Sequence, residues 1–168
     1  LYMHRIFTII GLVAVLLSAS GVVTASENDL SVYLGETPIL DFRNQNVEAL
    51  VESRGWRKLH EVQKIEAVYR FVQNEIVFGY NASDDIPASQ VLQDGCGQCN
   101  TKSTLLMALL RSVGVPTRFH GFLIDKRMQK GVVTGIAFKF APQTIIHSWV
   151  EAYFDGRWIN LHSKRSHY

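Results

Sequence analysis

The chain has 168 residues with 17 Lys+Arg, 15 Asp+Glu and a formal charge of +2, a length that suits one ordinary domain, or a domain plus a targeting segment. Apolar residues make up 47% and charged residues 19%, which excludes a disordered or fibrous chain, and near-neutral charge leaves no phosphate-tracking surface for nucleic acid. Two cysteines cannot build a multi-disulfide scaffold.

In chain order, residues 1–25 read as a signal peptide. His4 and Arg5 precede an almost unbroken apolar run at 6–18, and Val23-Thr24-Ala25 fits a cleavage site before Ser26. The rival is an uncleaved N-terminal anchor, since 6–23 is just long enough to span a bilayer. The expected product is exported, secreted or periplasmic, with a membrane contact only if the segment stays attached. Residues 26–168 form the remaining domain.

Residues 46–74 carry a helical pattern, with Val62, Ile65, Val68, Val72 and Ile76 as one apolar stripe. A polar link at 79–87 leads to a short helix at 88–92. A second long helix begins near Cys99, turns Leu105, Leu106, Leu109, Leu110 and Val113 inward, and stops at Gly114 before Pro116. Strand character follows at 118–124, with a loop at 126–131. Segments 145–154 and 157–162 flank Asp155-Gly156, a type I′ hairpin signal that pairs Phe154 with Arg157. Helices followed by an antiparallel sheet define an α+β fold with the N-terminal helices packed on the sheet.

Two segments carry chemistry. In Gly95-Cys96-Gly97-Gln98-Cys99, glycines flank Cys96, and Cys99 falls in the first turn of the long helix. Unpaired N–H groups and the positive helix end favour a thiolate there and can donate to an oxyanion. A structural Cys96–Cys99 disulfide, half a metal site and a redox pair compete with that reading. A lone C-x-x-C without a second pair or a close His pair indicates no metal, and no cofactor motif is present.

The second segment is His147-Ser148-Trp149-Val150-Glu151. A cysteine nucleophile needs a base that takes its proton and later returns it, and imidazole does this near neutral pH. Alternation puts His147, Trp149, Glu151 and Tyr153 on one face. The hairpin register then places Asn160 opposite Glu151, and His162 opposite Trp149 and diagonal to His147. For Trp149, Tyr153 and Trp158, cross-strand packing is the expected role.

Taken together, these blocks resemble the transglutaminase-like cysteine enzymes of the papain-like group. The resemblance covers about residues 67–161 and rests on the lead helix at 67–80 and Ala88-Ser89-Gln90-Val91-Leu92. The helix and its Gly-Val-Pro-x-Arg exit at 99–118 and the hairpin at 147–161 complete it. It implies a papain/transglutaminase-like core with Cys99 as nucleophile and His147 as base. Gln93, six residues before Cys99, has the spacing of an oxyanion glutamine. Family members usually carry an acid fifteen residues after the catalytic His, and this chain has His162 in that third triad position. The implied activity is cleavage or transfer of amide or peptide acyl groups through a cysteine thioester, on a protein or peptide substrate. The alternatives are a catalytically weak binding module and a thiol–disulfide oxidoreductase using Cys96 and Cys99.

Overall fold

A computed structural model describes residues 29–129 and 142–161. Residues 1–25, expected as a targeting segment, His162, and most of the loop and apolar stretch that follow residue 129 lie outside the described residues. No helix among the described residues is long and apolar enough to cross a membrane.

The stretch expected as one helix is two. Helix α1 (Gln45–Ser53) starts at Asn44, whose side chain accepts from the Asn46 N–H at 3.0 Å. It buries Val47 and Val51 completely and ends where Gly55 takes φ 65°, a left-handed turn that glycine adopts without strain. The buried Trp56 then opens a 3-10 turn (Trp56–Lys58) and sets its ring edge-on to Phe71 at 5.4 Å. Helix α2 (Glu61–Asn74) follows and buries Ile65, Val68, Phe71 and Val72. Val62, in its first turn, is exposed, so the buried stripe begins one turn later than its spacing suggests.

Two short strands escaped the sequence reading: β1 (Val77–Phe78) pairs in parallel with β2 (Cys96–Gly97). Two residues each give no periodic signal. Between them runs α3 (Ala88–Asp94), whose start is capped from a distance: Asp41 accepts from the Ser89 N–H at 3.0 Å and from its hydroxyl.

Helix α4 (Cys99–Ser112) is the centre of the molecule. Nine of its residues, Thr101 and all those from Ser103 to Leu110, are buried. A helix apolar nearly all round must be covered on every side, and α1, α2, α3 and the sheet all pack on it. Leu105, Leu109 and Leu110 are fully buried, each contributing about 2–3 kcal/mol of transfer free energy.

The sheet has the order β3–β4–β5, all antiparallel, from β3 (Thr117–Asp125), β4 (Thr144–Phe154) and β5 (Arg157–Leu161). Asp155 and Gly156 both take positive φ (50° and 75°), as a type I′ turn requires. Phe154 pairs with Arg157 and Glu151 with Asn160, as the hairpin arithmetic predicts. One face, with Thr117, Ser148, Val150 and Ala152, is buried on the α4 side. The other presents Arg118, His120, Phe122, His147, Trp149 and Glu151, which are cross-strand partners. The result is the expected α+β architecture.

Candidate active site

Cys99 is the first residue of α4, and Gln98 is its N-cap. The Gln98 side-chain oxygen accepts the Asn100 N–H at 3.1 Å, and Thr101 Oγ1 accepts the Gln98 N–H at 3.1 Å. These reciprocal bonds fix the entry of the chain into the helix. The Thr101 hydroxyl in turn donates to Asn81 at 2.7 Å, tying the 79–87 link to the same turn. As the first helical residue, Cys99 has an N–H with no intrahelical acceptor.

The thiol is half-buried in a polar cradle that neighbours it in both sequence and space. It donates to Gln98 Oε1 at 3.1 Å and lies 3.7 Å from Asn100 Oδ1. The two amides hand their NH2 groups to one carboxylate: Gln98 Nε2 to Asp84 Oδ1, and Asn100 Nδ2 to Asp84 Oδ2 at 2.8 Å. From the sheet, the Ser148 hydroxyl donates to Asn100 Oδ1 at 2.8 Å. The sulfur also lies within reach of the backbone N–H groups of Asn100 and Ser148 and of the Ser148 hydroxyl.

A helix N-terminus was expected to favour the thiolate, but the thiol is pushed up from its ordinary value of 9.0. Burial is the largest cause. The Asn100 and Ser148 N–H groups work against it, the Asp84 charge reinforces it, and the Ser148 hydroxyl offsets part. Desolvation outweighs the helix end here because the group is shielded from water.

The structure therefore brings Cys99 against β4 at Ser148, the residue next to His147. Alternation sends the His147 side chain to the other face of the strand, where its half-buried ring meets the edge of Phe122 at 5.4 Å. Behind it, Trp149 stacks on His120 at 5.2 Å, and Glu151 holds His120 Nε2 at 2.8 Å and the Arg118 guanidinium. Trp149 and the Tyr153–Trp158 edge pair thus have the packing roles expected of them.

Gln93 is exposed on α3. The glutamine whose side chain reaches the sulfur is Gln98. His162 lies outside the described residues. Cys96 and Cys99 are both free thiols, and the Cys96 sulfur sits 3.2 Å from where a side chain on Gly79 would begin.

Beside the cradle opens a cleft of about 710 Å³. Asp84 and Asn100 line it, Val32, Ile39 and Phe119 supply apolar surface, and Arg111 lies along the same helix face as Asn100. Gln98, Asn100, Ser148 and Asp84 were missed as site residues by sequence reasoning. Gln98 and Asn100 flank Cys99 and were open to a search for polar side chains at a helix cap, whereas Asp84 carries no such signal.

A helix-borne cysteine packed against a histidine-bearing antiparallel sheet defines a cysteine-enzyme core of the papain type. The model of the transglutaminase-like superfamily matches residues 47–163, and the chain belongs to that superfamily, a family of cysteine-type enzymes. No curated protein matches the chain. Among solved structures it is similar to one from Cytophaga hutchinsonii named a "Putative Cysteine Protease", at 20% identity and a TM-score of 0.60. That match covers 84% of this chain but 44% of the other, so the present chain spans less than half of that relative. At this identity the likeness speaks for the fold alone.

Proposed function

We propose that the protein is an exported cysteine enzyme that cleaves or transfers amide or peptide acyl groups through a thioester on Cys99. The observation that carries the reading is the seating of the Cys99 thiol at the N-terminus of α4, against Ser148 of the strand that bears His147.

Because burial raises the thiol, the resting nucleophile is protonated at neutral pH and attack needs a base. His147, whose ring must swing from the Phe122 side of β4 to reach the sulfur, takes the sulfur's proton as the S–C bond forms. It then gives that proton to the departing amine as the C–N bond breaks. Backbone N–H groups at the helix start receive the carbonyl oxygen as it becomes negative. Water resolves the thioester to a carboxylate and free thiol, or a second amine resolves it to a new amide. The cleft beside Asn100 suits a protein or peptide substrate with apolar side chains near the reacting amide.

The test labels the protein with an electrophilic thiol probe under mild reduction. In a Cys96→Ser background, labelling at neutral pH should vanish in Cys99→Ala and fall roughly tenfold or more in His147→Ala, as for loss of a general base. Labelling that ignores both substitutions would overturn the assignment. N-terminal sequencing of the mature protein tests export, with Ser26 as the expected first residue.

A second reading, a catalytically weak binding module, is motivated by His162, which stands where the family carries an acid. A histidine there brings no negative charge to stabilise an imidazolium, and loss of the acid in a serine triad costs about 10⁴ in rate. His162→Asp should raise turnover in an enzyme and leave a binding module without any. A thiol–disulfide oxidoreductase would require Cys96 as well as Cys99, and Cys96→Ser separates it from acyl transfer.

A further inference from the structure

We infer that Asp84 is a positioning residue for the nucleophile: it grips the NH2 groups of Gln98 and Asn100, so that both amide oxygens, not the amide nitrogens, face the Cys99 sulfur. This deepens the reading of Cys99 as the nucleophile and rests on it only for the consequence in turnover.

The two amides flank the cysteine in sequence, at positions 98 and 100, while Asp84 arrives from the exposed link between β1 and α3. The oxygen and nitrogen of an amide are close in size, so the partners decide which way it points. An ionised carboxylate only accepts, and each Asp84 oxygen takes one amide NH2. Each amide oxygen is thereby turned inward, onto the sulfur at 3.1 Å and 3.7 Å.

The two amides are not held equally. Gln98 is fixed a second time, because its oxygen accepts the Asn100 N–H. The other partner of Asn100 is the Ser148 hydroxyl, which can accept as readily as it donates. Asn100 is therefore the amide whose orientation depends on Asp84. Its present setting, with Asp84 close by, keeps a partial and a full negative charge near the sulfur and favours the neutral thiol. The nucleophile then waits protonated until a base takes its proton.

Of the other groups around the thiol, His147 comes from the same strand as Ser148, but its ring faces Phe122 on the other side of β4. Lys102 on α4 is committed to the Ile76 carbonyl at 2.7 Å. The Cys96 sulfur lies against Gly79. Asp84 is thus the carboxylate at the thiol among the described residues.

The experiment follows iodoacetamide alkylation of Cys99 against pH in a Cys96→Ser background, with the labelled residue identified by peptide mass spectrometry. Asp84→Asn offers one acceptor and one donor in place of two acceptors. Its new NH2 needs an oxygen, Asn100 turns to supply it, and the Asn100 nitrogen then faces the sulfur. Alkylation at pH 7 should accelerate about tenfold, with the profile displaced about one unit to lower pH. Asp84→Ala, which removes the charge and frees Asn100, should move the profile in the same direction. Both substitutions are at an exposed position, and circular-dichroism melting confirms the fold.

Profiles that superimpose on the parent, or shift to higher pH, would overturn the inference. So would a lowered melting temperature with an unchanged profile, because that is what a purely structural tie gives. Alkylation needs no substrate, so failure to find turnover would sink the proposed acyl transfer and leave an observed shift standing.

Discussion

Gly97 precedes the N-cap of α4 and is buried, and Gly97→Ala measures how tightly that cap is built. A Cβ there would lie 2.7 Å from Thr101 Oγ1, 3.0 Å from Lys102 Cγ and 3.3 Å from the Lys102 backbone nitrogen. The first is ~0.8 Å inside the optimum of about 3.5 Å for non-bonded carbon. Thr101 is 1% exposed, so its side chain cannot swing into water. Its oxygen is held by the Gln98 N–H and Asn81, and Lys102 N belongs to the helix. Relief must come from moving the first turn and loosening the capping bonds. Overpacking costs about 1–3 kcal/mol and a lost cap about 1 kcal/mol, together about 2–4 kcal/mol. For a domain of this size that lowers Tm by ~5–15 °C. Gly55→Ala is the control: nothing lies within 4 Å of its Cβ, and only its φ of 65° is unfavourable, at about 1–2 kcal/mol. Thermal melting of the two variants decides the matter. If Gly97→Ala melts no lower than Gly55→Ala, and its Cys99 labelling rate is unchanged, the cap is slack and the reasoning fails.

Asp41→Ala should lower stability by about 1–2 kcal/mol through loss of the remote cap on α3, read by urea denaturation, with Asp41→Asn recovering part of it. Leu109→Ala, at a fully buried position on α4, should cost about 2–5 kcal/mol; a loss below 1 kcal/mol would show that α4 is not the centre of the core. The Glu151 side chain is 13% exposed. Burial opposes its charge, but the bonds and charges of Arg118 and His120 outweigh that and hold its carboxyl below the usual 4.5. A depressed carboxylate contributes stability above its unfolded pKa and loses it as pH falls through the folded value. The stability gap between wild type and Glu151→Gln should therefore narrow from about pH 5 to pH 3; a constant gap would show that the carboxylate's charge adds nothing.

Much of this protein is local and could be read from spacing alone. The apolar residues of α4 and the Gly114 stop define the central helix and put Cys99 in its first turn. Asp155-Gly156 sets the hairpin register residue by residue, because a two-residue type I′ turn permits one pairing. These features depend on dihedral preferences and on contacts a few residues apart, which leave a periodic trace. The break at Gly55 was hidden because apolar spacing runs on either side of it, and a single left-handed residue does not disturb that period.

Folding in three dimensions decided the chemistry of the site. Asp84 meets Gln98 and Asn100 across 14 and 16 residues, and Ser148 meets Asn100 across 48. Asp41 caps α3 across 48 residues. None of these pairs shares an element, so nothing in their spacing announces them. The protonation state of Cys99 followed the same rule. The helix end, visible in sequence, favours the thiolate. Burial against β4 and the approach of Asp84 outweigh it, since water is excluded only once helix, link and sheet have come together.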